Sequence, residues 1–580
     1  MLHAFMTAQT AGTPNVVDDA PVPRKNQARH PGRRRMAGRY DRCLAAAPPR
    51  RPARAAAGPC ATSLPTPVRL QPQGPQPPLS GLAAAGLAAI LFAQALVLSA
   101  IRGGTSYDGA EQLLYTQYLD WGYGRSQPPL YTWLLWTLHQ ILGVSALTEN
   151  LLKFALLGVG LTGMAWLAQA LWPGVAHAGS AALLLCVLVP DIAWEMQRNY
   201  AHSVLLFALL PWGGWLYLQT RLHPTPVRWV ALALVAALSV LAKYNALLFW
   251  AALILADGIV HGRRALFSQP MAWAAALMAL VLLLPHAWWT WRHPAPTLRI
   301  TDRMGLRAHD SLWHDALAGV TEWGVAWLAL FVLPALLYGW AHLRTNPQLT
   351  PAQSWSAADR SMPTGAALPE WHGSASNNAQ LWAWTCIMVL ALSLLAVLLT
   401  GMTRVQPRWL LPTAVPLLAW MAGRIASCAP TWRALRWFAL VFGMLVIVGN
   451  WWAAVKPGTR TAYDYAALSS ALRDRTGADC AVFTDYAHFA NLRLADPRWC
   501  LANPAMPQQP GLGGAERPVA LWLTTDPRAR DATLSFAQAH GWEPVGPTEA
   551  LALPHRWGTE ALPVTAQRLT RWPAARANRR

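Results

Sequence analysis

The chain has 580 residues, of which 54% are hydrophobic and only 13% charged, and its formal net charge is +20. Soluble domains carry about 25% charged residues, so this composition excludes a soluble globular protein and points to a membrane protein. The charge does not indicate a nucleic-acid partner: twelve of the basic residues precede residue 80, most others flank apolar runs, and no basic strip is interleaved with aromatics.

Residues 1–78 are rich in Pro, Arg and Ala, with RKNQARHPGRRR and PPRRPARAAAG, and lack hydrophobic periodicity. They read as a disordered basic tail. An arginine-rich presequence is an alternative that the prolines oppose, and a start at Met36 would remove half of the tail. Gly81 to Ile101 is the first span, about 20 apolar residues long. Ser106 to Trp133 then interrupts the apolar sequence with acids, a Gly-x-Gly turn and a double proline. Asp108 and Glu111 lie three apart and share a helical face, with Tyr115 one turn further on. That helix is predicted to run to about Asp120 and to be broken by Gly122 and Gly124. Pro128-Pro129 can open a second helix, because proline suits a first turn.

Apolar runs follow near 147–171, 175–190, 200–218, 228–242, 244–260, 270–291, 319–342, 379–400, 409–427 and 437–455. The expectation is an α-helical polytopic membrane domain over residues 79–455, with about eleven transmembrane helices and an external loop at 102–146. A basic tail held in the cytoplasm puts Arg221/Arg228, Arg263/Arg264, Arg344 and Arg424/Arg433/Arg436 inside as well. An odd span count then puts the carboxyl end outside. The loop from Arg292 to Asp310 breaks the charge rule with four arginines, which suit either an anionic head group or a solvated face. Residues 345–378 read as a polar inner loop. Beyond Lys456 the composition is that of a small periplasmic α/β domain, residues 456–580. It has a helix over Tyr463 to Arg475, strands at 481–485 and 519–525, and a helix near 530–541. The seven cysteines have no metal spacing, and Cys480 with Cys500 could pair in an oxidising compartment.

The polar residues at span ends sort to one side. Asp191, Glu195 and Arg198 end the third span, and His202 opens the fourth. Lys243-Tyr244 lies between the fifth and sixth, His286 ends the seventh, and Arg404 and Arg408 precede the tenth. All fall on the side of Asp108 and Glu111. A charge in a bilayer costs about 2.5–3.5 kcal/mol on insertion scales, so such a cluster implies a wet external cavity.

Asp108-Gly-Ala-Glu111-Gln and Gln127-Pro-Pro-Leu130 resemble the first external loop of family 39 glycosyltransferases. This is the GT-C group of protein O-mannosyltransferases and lipid A aminoarabinose transferases. LAKYNALL (241–248), PHAWWTW (285–291) and TRVQPRWLLPTAVPL (403–417) resemble later segments of the same family, so the likeness covers about 80–455. Relatives carry an Asp-Glu pair where this chain has Asp108-Gly109, which leaves Glu111 to supply the second acid. Gln127 stands where many relatives have Lys or His, making Arg125 a substitute cation, and His202 stands where relatives often have Asp.

The resemblance implies an inner-membrane enzyme that transfers a monosaccharide from a polyprenyl-phosphate donor to a periplasmic lipid, glycan or protein, with inversion. It implies Asp108 as general base and Glu111 as the second acid. Donor contacts would come from Arg125, Gln127, His202, Lys243, Tyr244, His286, Arg404 and Arg408. Each has a plainer reading. Asp108 would serve as a helix N-cap, Glu111 would sit on a solvated face, Lys243 would snorkel, the histidines would be satisfied core groups, and the arginines interfacial anchors. No cofactor is implied; a divalent metal is compatible with the chemistry, although ligand spacing gives it no support. The rival is a polytopic transporter or lipid flippase, which would show mid-membrane polar residues on several spans and an internal repeat. Neither is evident. The partners are therefore the lipid-linked donor, the acceptor and membrane lipids.

Overall fold

The computed structural model describes residues 77–123, 127–262, 268–294, 304–306, 311–344, 375–476, 481–504 and 518–571. Helix α1 (Gly81–Ile101) is capped by Ser80, whose hydroxyl accepts from the Ala83 amide at 3.2 Å. Two short helices follow, α2 (Tyr107–Tyr115) and α3 (Leu130–Leu142). The apolar sequence then folds into α4 (Ala146–Leu171), α5 (Ala178–Val187), α6 (Ala201–Leu222), α7 (Pro226–Ala242) and α8 (Ala246–Val260). It continues with α9 (Pro270–Arg292), α10 (Leu312–Arg344), α11 (Ala375–Thr400), α12 (Leu411–Ser427) and α13 (Ala429–Val455). Every apolar run expected to span is helical. By length and composition, however, only seven of these helices can cross a membrane alone, or eight if α5 and the turn after it count as one span. Helices α7, α8 and α12 have 15–17 residues. At 1.5 Å per residue they are about 22–26 Å long, short of a hydrocarbon layer about 30 Å thick.

In α6, 78% of the apolar window is buried and in α4 61%, against 6% in α9 and 17% in α1. The first two therefore form the centre of the bundle and the last two its outer face. Buried indoles find carbonyl partners: Trp172 Nε1 donates to Ala419 O at 3.1 Å and Trp382 Nε1 to Pro416 O at 3.0 Å. After α5 the chain turns by 74° into a π-helical turn, Asp191–Glu195, continued by Met196–Arg198. Such turns are rare and frequently mark functional sites.

The carboxyl-terminal unit comprises α14 (Tyr465–Thr476), β1 (Ala481–Thr484), α15 (Tyr486–Ala495), β2 (Cys500–Ala502), β3 (Val519–Leu523), α16 (Pro527–Ala539), β4 (Trp542–Pro544), β5 (Glu549–Pro554) and β6 (Ala561–Arg571). Its sheet runs β2-β1-β3-β6-β4, with β5 also paired to β6. β1 is parallel to β2 and β3, with Val482 opposite Val519, and β3 is antiparallel to β6, with Leu521 opposite Ala566. The expected helices and the two expected strands are present. β2 and β4 are only three residues long, and β5 and β6 alternate buried and exposed positions. Cys480 lies outside the described residues.

This unit is docked on the α2 loop. Gly103 N donates to Thr461 O at 2.7 Å, Arg556 Nη1 to Arg102 O at 2.7 Å and Tyr486 OH to Tyr107 O at 2.8 Å. Leu114, Tyr115 and Tyr123 share a core with Leu468, Val482, Phe489 and Leu521. The docking also corrects the predicted end of α2, which stops at Tyr115 and not near Asp120. The Arg493 guanidinium donates to Leu113 O, to Thr116 O at 3.1 Å and to Thr116 Oγ1 at 3.0 Å. A cation on the last carbonyls satisfies and ends a helix.

Candidate functional site

Asp108 sits in the first turn of α2, part-exposed, behind the cap Ser106, whose hydroxyl accepts from Gly109 N at 3.2 Å. Ser106, and not Asp108, is therefore the N-cap, and the capping role does not account for the carboxylate. Gln112, one turn on, holds the helix in place. Its amide oxygen accepts from Thr132 Oγ1 at 2.7 Å, and its nitrogen lies 3.1 Å from His202 Nε2. Glu111 is buried on the same helix.

Across from α2, Lys243 closes α7, and its Nζ donates to Ser203 Oγ at 2.7 Å and Arg408 O at 3.4 Å. Asn245 donates to Trp409 O at 3.0 Å, so the turn between α7 and α8 is hooked to the Pro407–Trp409 turn before α12. Arg408 lies over the Tyr200 ring at 5.2 Å. Asp191 has Glu195, Tyr200, Lys243 and Arg408 as its electrostatic neighbours, while Asp108 lies within electrostatic range of Lys153, His202 and Lys243. The structure thus brings Asp108, His202, Lys243 and Arg408 into one site, and adds Lys153 and Asp191. Among the described residues, none of Lys153, Asp191, Lys243 and Arg408 forms a direct ion pair.

Tyr244 and His286 serve the loop. His286 Nε2 is 2.7 Å from Tyr244 OH and its Nδ1 2.7 Å from Trp121 O. Trp289 Nε1 donates to Asp120 Oδ2 at 3.2 Å, and a side chain at Gly122 would strike the Trp289 ring, so the glycine permits this close approach. The segment after α2 is therefore strapped to the end of α9. Around the strap, burial raises the Tyr123 hydroxyl to about 12 and pushes Tyr131 up further, so both stay protonated at neutral pH. Gln127 is half-buried at the entry to α3, and Arg404 is exposed. Arg125 and most of the Arg292-to-Asp310 loop lie outside the described residues. No group of three or more His, Cys, Asp or Glu among the described residues is arranged to hold a metal ion.

Sequence reading underrated Lys153 and Asp191. Lys153 had a usable signal, since it is one of four lysines in a chain that otherwise uses arginine, and it falls inside an apolar run. Asp191 depends on the π-helical turn, which has no local signature.

Residues 126–289 match the family model of dolichyl-phosphate-mannose-protein mannosyltransferases. Lipopolysaccharide core galacturonosyltransferase RgtB of Rhizobium johnstonii is 28% identical over 371 residues, which cover 62% of this chain and 69% of that protein. RgtA of the same organism is 29% identical over 317 residues, covering 53% and 56%. The crystal structure of ArnT from Cupriavidus metallidurans bound to undecaprenyl phosphate aligns with a TM-score of 0.51 at 12% identity, over 84% of this chain and 98% of that one.

Proposed function

We propose that this chain, a membrane glycosyltransferase of the GT-C type, takes its sugar from a polyprenyl-phosphate carrier and passes it to an acceptor at the membrane face bearing Asp108. The observation that carries this reading is the convergence of Asp108 with Lys243, Arg408 and Lys153, cations that form no direct ion pair among the described residues, Lys243 donating to a hydroxyl and Arg408 lying on a tyrosine ring. A phosphate diester tail held in a groove between helices would place its anionic oxygens on Lys243 and Arg408. Arg404 and Gln127 would flank the entrance, and Tyr244 and His286 would hold the loop in register.

An acceptor hydroxyl attacks the anomeric carbon as its proton passes to the Asp108 carboxylate. The bond from that carbon to the phosphate oxygen breaks, and the polyprenyl phosphate leaves with the electron pair, its charge stabilised by the cations. Attack from the opposite face inverts the anomeric centre. Glu111 is the second carboxylate of the same helix. The two galacturonosyltransferase relatives favour a hexuronic acid as the sugar and lipopolysaccharide core as the acceptor. The arginine-bearing ends of α6 and α12 lie away from the site, which supports an inner-membrane protein with its amino end in the cytoplasm and its carboxyl-terminal unit in the periplasm.

Mass spectrometry of envelope glycolipids and glycoproteins, with and without the gene, tests this directly. One defined sugar should disappear on deletion and return with the wild-type gene; an unchanged profile would contradict the reading. A reporter active only in the periplasm should be active when fused after residue 470 and silent near Arg264.

A further inference from the structure

Gly109 follows Asp108 in the first turn of α2, and there is no room for a side chain on it. A β-carbon there would collide with Thr105 Oγ1 and come within 3.3 Å of Glu149 Oε2. The space is taken by the Thr105 hydroxyl, and against it lies the Glu149 carboxylate, which reaches from the first turn of α4. Thr105 Oγ1 donates to Glu149 Oε2 at 2.8 Å, and the Thr105 amide donates to Asn491 Oδ1 at 2.6 Å, so Thr105 ties α4 and the carboxyl-terminal unit to the start of α2. Glu149 is only 8% exposed, and its Oε1 is buried without a hydrogen-bond partner. Glu149 borders a cavity of about 10 Å³ shared with Gly109, Gln112, Tyr131 and Lys153. That is close to the smallest volume that admits one water. Lys153, one turn along α4, feels both Glu149 and Asp108, and so does Tyr131. A carboxylate under the first turn of α2 is also favoured by the partial positive charge of a helix amino terminus.

We propose that Glu149 is the second carboxylate of the site, a positioning residue that fixes the first turn of α2 through Thr105 and balances Lys153, leaving Asp108 unpaired for the acceptor proton. This inference rests on the transferase reading and deepens it, because it moves the second acid from the α2 helix to a membrane helix. Glycine at position 109 permits this arrangement: a side chain there would displace the Thr105 hydroxyl that holds the Glu149 carboxylate.

The test is complementation of a deletion strain with full-length variants, scored by the sugar that the wild-type gene restores. Each purified variant is also scored by its thermal shift with undecaprenyl phosphate. Glu149→Gln keeps an oxygen for Thr105 and nearly the same shape but loses the charge. It should keep the wild-type shift while transfer falls about 10–100-fold, the scale expected when a reacting group is displaced by about an ångström. Glu149→Asp should recover part of the loss. Full transfer by Glu149→Gln would overturn the proposal. If Glu149→Gln does not fold, Thr105→Val decides: folded protein with reduced transfer supports the role, and full transfer removes it. A wild-type gene that restores no sugar would overturn the transferase reading and this proposal with it.

Discussion

Charged side chains gather near both ends of helix α6, and the two ends treat them differently. At one end Arg221 donates to Asp257 at 3.3 Å, with side chains 2% and 0% exposed, and His261 Nδ1 lies 2.8 Å from the other Asp257 oxygen. At the opposite end, about 28 Å along α6, Lys243 donates only to the Ser203 hydroxyl and a carbonyl, and Arg408 lies on a tyrosine ring. A buried charge without an opposite charge is costly, whereas a paired one is held at modest net cost. The paired end is built for stability. The end whose cations form no direct ion pair among the described residues can receive a further anion, and Asp108 and Asp191 stand beside it.

The comparison can be broken by substitutions at either end. The largest effect is expected at Asp108→Asn, which keeps the shape but cannot take a proton. Turnover should fall about 10²–10⁴-fold with thermal stability nearly unchanged. Since Ser106 already caps α2, an active Asp108→Asn protein would leave that carboxylate without a role in the reaction. Asp257→Ala should do the reverse. Stripping Arg221 of its partner should cost about 3–5 kcal/mol in unfolding, with turnover per folded molecule within about twofold of wild type, as for distant independent sites. A stable but inactive Asp257→Ala protein would erase the distinction between the two ends.

Far less of the loop than of the bundle was legible in the sequence. The helices could be read because a run of apolar residues in lipid has little choice but to satisfy its backbone internally. The end of α2 could not, because it is set by Arg493, 380 residues after the Leu113 carbonyl it binds. Glycine at 109 read as a missing acid. Only the fold shows that the Thr105 hydroxyl fills the space beside it and holds the carboxylate of Glu149, forty residues on. Asp108, Lys243 and Arg408 were legible as span-end charges on a common side. Their arrangement with Lys153 and Asp191 depends on the π-helical turn and on the hooked turn at Pro407–Trp409.

A smaller effect sharpens the role of the carboxyl-terminal unit. Asp485 caps α15, the helix that carries Asn491 and Arg493, by accepting from Ala487 N at 2.8 Å and His488 N at 3.1 Å. Burial opposes its charge, but His488 at 2.5 Å and the two amides outweigh it and hold the carboxyl down at about 2. That lies below an unfolded value of about 3.9, so the stabilisation is fully present above about pH 4 and is lost as pH falls through about 2. Asp485→Ala should cost about 1 kcal/mol at neutral pH and flatten the acid limb of a thermal-stability profile. An unchanged acid limb would show that Asp485 does not couple α15 to pH.

The most direct measurement of the central claim, that the unpaired cations receive a lipid phosphate, is the thermal shift of the purified protein with undecaprenyl phosphate. Wild type and Asp257→Ala are each compared with themselves in the absence of lipid, as are Lys243→Ala and the Lys243→Ala/Arg408→Ala pair. Each charge-assisted contact is worth about 1.5–3 kcal/mol. Apparent affinity should therefore fall roughly tenfold or more in the single variant, fall further in the double, and stay at the wild-type value in Asp257→Ala. Equal affinity in wild type and the double variant would contradict the account.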